Sequence, residues 1–327
     1  LTISGHRDGA VLFSASIQDV VDSLNEVTRQ ITVIFVAVVI IIIIAIFLLS
    51  GWITKPIVEL TSAIRRMGTQ GYVRVDEKGS GEIAELGRAF NRMSERIEDH
   101  DRVRDEFVAN ASHELKTPIA LIQGYAEGLC DGMCEDEESR SYYCEVIMDE
   151  ANKMNKMVKQ LLTLSSLESG NDKPVMDRFN LTELVRGVVN ASKILLEQNE
   201  IQVDFDAQTP VYVWADEFKI EQVVTNYLSN AIHHIDGEKK IIIKMIPENG
   251  IVRVSVFNTG TLIPEDAIPN LWTKFYKVDK ARTRAYGGTG IGLSIVKAIM
   301  DAHNQQYGVK NWENGVEFWF TLDGSNS

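Results

Sequence analysis

Cysteine is scarce in this chain: 327 residues hold three, Cys130, Cys134 and Cys144. An odd, sparse set makes no disulfide framework, and reduced thiols are the expectation. Cys130 and Cys134 stand four apart, but no paired Cys/His motif accompanies them, which argues against a zinc site. Basic charge is also short. There are 33 Lys and Arg against 46 Asp and Glu, a formal net charge of -13. Phosphate contacts along nucleic acid need clustered cations, so no nucleic-acid partner is expected. The length suits two or three folded units. The chain opens on Leu1 rather than Met, and a piece of a longer protein is expected.

A third lack is local. Residues 31–49 (ITVIFVAVVIIIIIAIFLL) carry no charge. About 19 residues at 1.5 Å each cross roughly 30 Å of hydrocarbon. A buried core helix or strand usually runs shorter, and a signal peptide has a shorter apolar region. A transmembrane helix over 31–52 is therefore expected, in contact with membrane lipid. Lys55, Arg65 and Arg66 follow it closely and only Arg29 precedes it, so the C-terminal side is expected in the cytoplasm. Residues 1–30 then form the end of an extracytoplasmic region, with a short strand at 11–16 and a helix from 17 entering the bilayer.

Beyond the span, Pro56 opens a helical pattern at Ile57, Leu60, Ile64 and Met67. A connector with Gly71, Gly79 and Gly81 leads to a second pattern at Ile83, Leu86, Phe90, Met93 and Ile97. Both have the 3-4 spacing of a coiled-coil seam. Two short helices cannot bury such seams alone, so a parallel dimer is the natural solution. Residues 53–103 resemble a HAMP linker, with Pro56 and the Glu82-Ile83 start as matching features and Gly81 standing where an acidic residue is common. After Ile97 the stripe changes phase to Val103, Phe107, Ala111, Leu115, Ile119, Ile122, Ala126 and Leu129. Such a break locally unwinds or overwinds a coiled coil.

The segment FVANASHELKTP, residues 107–118, lies on this new stripe. His113 is two residues from both Ala111 and Leu115, about 200° around the helix, so it faces away from the core. Thr117 follows one turn later on the same face, and Glu114 is adjacent. A neutral imidazole is a competent nucleophile, Glu114 can accept the proton on its other nitrogen, and Thr117 can orient a water for hydrolysis. Pro118 is expected to kink the helix. A turn at Asp131 and Gly132 leads to a second helix with Ile147, Ala151, Met154, Val158 and Leu161 inward. Two such hairpins make a dimeric four-helix bundle over 104–170.

From about 174 the pattern is mixed. Strand-like runs at 201–205, 211–214, 241–246, 251–257 and 317–322 alternate with helices, so an α/β layer is expected over 174–324. Asn226 and Asn230 lie four apart on one helix that His233 and His234 extend, and amide oxygens can hold a Mg²⁺ whose other ligands are water and phosphate. The strand ending at Asn258, before Thr259 and Gly260, is placed to read a base edge. The run Gly287, Gly288, Thr289, Gly290, Ile291, Gly292, Leu293 opens a helix, where glycines admit phosphate and the helix N-terminus favours the anion. Lys274, Lys277, Arg282 and Arg284 lie just upstream.

Order and context together make this chain resemble the transmembrane sensor histidine kinases of two-component systems, over roughly 31–324. The resemblance implies roles by motif position. His113 matches the phospho-acceptor, Glu114 its acid/base partner and Thr117 the phosphatase residue. Asn226 and Asn230 match the N box, with Asn230 the Mg²⁺ ligand. Trp272, Phe275 and Tyr276 match the F box of the ATP lid, and Gly288, Gly290 and Gly292 the second glycine box. ATP and Mg²⁺ are the implied cofactors, and the implied fold of 174–324 is the Bergerat α/β sandwich. A homodimer and a response regulator with a receiver aspartate are the implied partners; no receiver-like module follows in the chain.

One departure stands out. The family usually has Asp-x-Gly-x-Gly where this chain has Asn258, Gly260 and Leu262. Asn258 can still accept a hydrogen bond from an adenine amine, without charge assistance. Gly308 and Gly315 remain of a third glycine box, with Asn304, Gln305 and Gln306 where a glycine pair is common. The alternative function is a signal-relaying transmembrane HAMP receptor whose nucleotide-binding domain is degenerate. A Bergerat ATPase of the chaperone or topoisomerase kind is disfavoured by the membrane span and the histidine hairpin.

Overall fold

The computed structural model describes residues 17–67, 71–77, 81–132, 136–170, 172–205, 209–278 and 289–324. The expected strand at 11–16, and Gly79, Cys134, Arg282, Arg284, Gly287 and Gly288, lie outside them. The chain divides into two compact units, Leu1–Val103 and Arg104–Ser327.

In the first unit, α1 (Ile17–Leu49) is one uninterrupted helix. Among the described residues it carries the only stretch long and apolar enough to cross a membrane, and none of it is buried within the protein. A π-helical turn, Ser50–Thr54, joins it to α2 (Lys55–Met67), and the Lys55 amide donates to Ser50 O. Pro56 lacks an amide for the α-helical ladder, and a wider turn just before it absorbs that loss. Helix α3 (Glu82–Cys130) begins in this unit and extends into the second; it remains helical through Pro118.

The side of α3 buried in the first unit is not the expected seam alone. Phe90 is buried, but so are Ala84, Gly87, Asn91 and Ser94. They cover the connector 71–77, which has no regular secondary structure. Its backbone groups therefore need side-chain partners. Asn91 meets that need twice: Oδ1 accepts from the Val75 amide and Nδ2 donates to Val75 O, each at 3.0 Å. Nδ2 also donates to Glu77 Oε1 at 2.8 Å. A Cβ on Gly87 would lie 3.7 Å from Asp76 O, ordinary contact at a close approach.

In the second unit, α3 and α4 (Glu137–Glu168) form a helical hairpin. Gly132 turns the chain at φ +70°, and Asp136 caps α4 by accepting from the Ser139 amide. Tyr143 lies against Gly128, where any Cβ would sit 2.9 Å from its ring, and stacks edge-on to Tyr125 at 4.9 Å. The buried residues of α4 are Met157, Leu164 and Leu167. The expected inward set Ile147, Met154 and Leu161 is only half-buried, with Ala151 and Val158 exposed. Helix α4 has two apolar stripes, and the one buried in a single chain faces the sandwich.

That sandwich has seven strands: β1 (Asp177–Asn180), β2 (Gln202–Phe205), β3 (Tyr212–Ala215), β4 (Lys240–Glu248), β5 (Ile251–Thr259), β6 (Tyr307–Trp312) and β7 (Gly315–Gly324). Their order is β1-β3-β7-β5-β4-β2, with β6 also paired to β7. Only β2 and β4 run parallel. The five expected strands are present; β1 and β6 were not anticipated, since both are short or polar. Helices α5 (Leu181–Ala191), α6 (Lys193–Gln198), α7 (Glu217–His234) and α8 (Gly292–Ala302) complete the unit. Alternate residues of β5 and β7, such as Val254, Val256, Phe318 and Phe320, are buried with Ile220, Val223, Ile295 and Ile299 of α7 and α8. The other face of the sheet is partly open, with Arg253 stacked over Trp319 at 4.2 Å.

Candidate functional site

Two helices, α7 and α8, frame the region of the expected asparagines and glycines. The N-terminus of α7 is capped by Asp216, which is buried. Its carboxylate accepts from Lys219 N at 3.1 Å and Val175 N at 2.8 Å. Its own amide donates to His303 Nε2 at 3.2 Å, while His303 Nδ1 donates to Ile299 O at 2.8 Å. This pattern assigns the His303 proton to Nδ1. It ties the C-terminus of α8 to the N-terminus of α7. Neither residue was anticipated; only Asp216 carried a local sign, the helix-capping preference of aspartate.

Tyr227 anchors α7 beneath the sheet. It packs on Phe318 at 5.5 Å and Phe320 at 5.9 Å, and its hydroxyl donates to Trp319 O at 3.3 Å. Burial, with a smaller contribution from Tyr307, pushes its phenol far above the ordinary tyrosine range.

Asn226 is the residue before Tyr227, about 100° around the helix. Its Oδ1 would lie 3.2 Å from a Cβ at Gly292, so the glycine lets α8 approach the amide. Its Nδ2 is buried with no hydrogen-bond partner. A buried donor left unpaired costs about 1–3 kcal/mol, which a ligand acceptor would offset. Gly292 opens α8 and the preceding Ile291 gives no side-chain cap, so the first amides of the helix remain available. Asn230 is half-buried further along α7. His233 Nδ1 meets Ser229 O, and His234 is exposed at the helix end.

The loop after β5 closes on that end. Gly260 has φ +153°, and a Cβ there would lie 2.5 Å from His234 O. Asn258 is buried, its Nδ2 donating to Thr259 O at 3.2 Å, which leaves Oδ1 as its acceptor. Gly315 of β7 pairs with Thr259 of β5, and a would-be Cβ there lies 2.1 Å from Asn258 O. Leu262 is exposed.

The stems flanking 279–288 meet each other. The Phe275 amide donates to Gly290 O at 2.9 Å. Phe275 adopts φ +61°, and a Cβ at Gly290 (φ +71°) would lie 2.9 Å from its backbone. Trp272 packs beside Tyr307 at 4.7 Å; Tyr276 and Leu293 are half-buried. Gly288, in the same expected glycine box, falls outside the described residues.

These stems also touch the hairpin. Phe275 lies 5.7 Å from the Phe107 ring. Lys274 Nζ sits over the Phe107 ring at 4.8 Å and pairs with Glu168 at 2.7 Å. Thr289 Oγ1 donates to Gln160 Oε1 at 2.9 Å. Lys277 Nζ donates to Glu114 Oε2 at 2.8 Å. His113 and Thr117 are both exposed on α3, and Glu114 is half-buried between them. Thus the expected residues fall into two groups. Asn226, Asn230, Asn258, Gly260, Gly290 and Gly292 gather around the ends of α7 and α8, while His113, Glu114 and Thr117 lie on α3, with the pair Glu114–Lys277 joining the groups. Lys277, read from the chain as charge for phosphate, here holds a carboxylate. The free thiols Cys130 and Cys144 are exposed and belong to neither group.

Comparison with known proteins matches three families. Residues 215–326 match the histidine kinase-, DNA gyrase B-, and HSP90-like ATPase family. Residues 103–170 match the His Kinase A (phospho-acceptor) domain and residues 48–99 the HAMP domain. Sensor protein kinase WalK of Staphylococcus aureus is 32% identical over 219 residues, covering 66% of this chain and 52% of the relative. WalK of strain Newman is also 32% identical over 219 residues, which make up 35% of its length. The chain thus spans about half, or less, of these relatives. Among solved structures, histidine kinase ThkA in complex with response regulator protein TrrA superimposes with TM-score 0.56 at 27% identity, over 70% of this chain and 66% of that one. Acinetobacter baumannii histidine kinase AdeS gives 0.53 at 25% identity, over 65% and 98%.

Proposed function

We propose that this chain, which belongs by its HAMP, HisKA and HATPase domains to the sensor histidine kinases, autophosphorylates His113 from ATP and passes the phosphoryl group to an aspartate of a response regulator. The observation that carries the nucleotide half is the orphaned Asn226 amide facing the uncapped, glycine-opened start of α8. Helix N-termini with close backbone approach favour phosphate. Bound there, ATP would supply the phosphoryl group. Asn258 would accept from the base through Oδ1. Among the described residues no group of three His, Cys, Asp or Glu could hold a metal. A Mg²⁺ bound with the nucleotide would take the amide oxygen of Asn230, with water and phosphate completing the set.

On the hairpin, exposed His113 offers a lone pair to the γ-phosphorus. The bridging P–O bond breaks toward ADP, and the proton on the other ring nitrogen goes to Glu114. Positioning and charge neutralisation do most of the work in such transfers. Thr117, one turn on, orients water for hydrolysis of the partner's phosphoryl group, giving phosphatase activity. The proposed domain limits are 53–103, 104–170 and 174–324, after a membrane helix at 31–52 that leaves the catalytic part cytoplasmic. The exposed seam residues Ile57, Ile64, Leu86 and Met93, and Val103, Ile119 and Val158 of the hairpin, are surfaces that a second copy would cover in a homodimer.

The test is labelling with γ-phosphate ATP followed by acid and base treatment. The native chain should acquire an acid-labile, base-stable label; His113→Gln should lose it while still binding nucleotide. A persistent acid-labile label in that variant would reject His113. Absence of nucleotide binding in the native chain would favour the relay receptor with a degenerate domain. Thr117→Ala should keep the label and slow regulator dephosphorylation; an unchanged rate rejects that role.

A further inference from the structure

Lys277 is the first cation before the segment 279–288 and stands beside the nucleotide stems, yet its ammonium is spent on a carboxylate of the hairpin. The Lys277 side chain is 9% exposed and that of Glu114 33%, so this pair is largely shielded from solvent. Its setting is built rather than incidental. Phe275, two residues before, packs on Phe107, and Lys274, three residues before, pairs with Glu168 on α4. Thr289 on the other stem reaches Gln160 of α4. The stems are joined through Phe275 N and Gly290 O. Lys277 is thereby held on the same side of α3 as the acid neighbouring His113.

The ammonium now touches one anion, Glu114; a second would arrive with a nucleotide whose phosphates bound where α8 opens, two residues beyond the Gly290 to which the Lys277 stem is joined. We propose that Lys277 is exchanged between them, so that it masks Glu114 in the nucleotide-free chain and releases it when ATP draws the ammonium away. This rests on the reading of the α7–α8 region as the ATP site. While Lys277 holds Glu114, its ammonium occupies Oε2 of the carboxylate, an acceptor for the His113 proton in the proposed transfer. Once Lys277 turns to phosphate, that oxygen is open as the phosphoryl donor comes into place. Lys277 is a positioning residue in this scheme, acting on His113 through Glu114.

Exchange of one cation between two anions is a linkage, and linkage is reciprocal. Glu114 competes with ATP for Lys277 although it belongs to the hairpin. Removing its charge should therefore tighten ATP binding, which a merely structural ion pair would not do. The measurement is the ATP dissociation constant of the full chain, by displacement of a fluorescent ATP analogue. Glu114→Gln should lower the constant by about 5-fold or more. Lys277→Gln should raise it, and in that background Glu114→Gln should have no further effect. ADP should show a smaller gain than ATP if Lys277 moves to the terminal phosphate. An unchanged constant in Glu114→Gln, or the same gain with Lys277 already removed, overturns the exchange while leaving the kinase reading intact. A native chain that binds no ATP overturns both.

Discussion

In the sandwich, Ile220, Val223, Ile295, Ile299 and Phe320 have no exposed surface; along α2 and the start of α3, Ile57, Ile64, Leu86, Met93 and Ile97 are 41–53% exposed. Both sets are apolar, and the second was expected from its spacing to form a coiled-coil seam. The difference lies in what one chain can enclose. A sheet with helices on one face brings many elements together and buries its apolar side without help. A pair of helices with a narrow seam has nothing opposite that seam until another pair arrives. The hairpin is intermediate: one stripe of α4 is buried against the sandwich, while Val158 and Leu162 stay exposed.

This contrast can be broken at chosen residues. The largest effect is expected from Gly315→Val. A Cβ there would lie 2.1 Å from Asn258 O, so β7 and β5 would have to part. The sandwich should lose about 3 kcal/mol or more, read as the loss of its cooperative thermal transition, with the helical segments' circular dichroism largely retained. Asp216→Ala comes next. It strands the part-buried amides of Val175 and Lys219, while the backbone tie to His303 remains, so a loss of about 2 kcal/mol is expected by denaturant titration.

Ile64→Asp probes the other region. Ile64 is 53% exposed in a single chain, so the sandwich's transition should move by no more than about 0.5 kcal/mol. A dimer seam would lose its apolar contact, and sedimentation should show dissociation. A variant that stays dimeric would show that this seam is not the interface.

The smallest effect belongs to Tyr227→Phe. Its phenol is held protonated by burial, above the unfolded tyrosine value of about 10. The stability this gives is present below that value and is lost as pH rises beyond it. The variant should lose about 1 kcal/mol at neutral pH, for one hydrogen bond, and show a shallower decline above pH 10 than the native chain. Parallel declines would remove Tyr227 as the alkaline-sensitive group.

Much of the candidate site was legible because its signals are local. His113 is placed on the solvent side by helical phase alone, and the structure leaves it exposed there. Asn226 and Asn230 share a helix, and Gly290 precedes the helix that Gly292 opens, as their spacing indicates. The strands rich in β-branched residues were visible too. β1, with sequence DRFN, was not: four residues with one apolar side chain make no pattern, and it becomes a strand by pairing with β3. The buried face of α3 was missed for a related reason. Asn91 and Ser94 look like surface residues until the connector supplies backbone partners.

The sequence by itself determined the apolar span, the helical phase of His113, the paired asparagines and the glycines at the start of α8. Each depends on residues within a turn or two of one another, where period and residue type suffice. Only the tertiary structure decided that Lys277 pairs with Glu114, Thr289 with Gln160 and Asp216 with His303. Those partners are 163, 129 and 87 residues apart. No local period relates positions so distant. They meet because the sheet and its helices, packed on the hairpin, carry them to the same place.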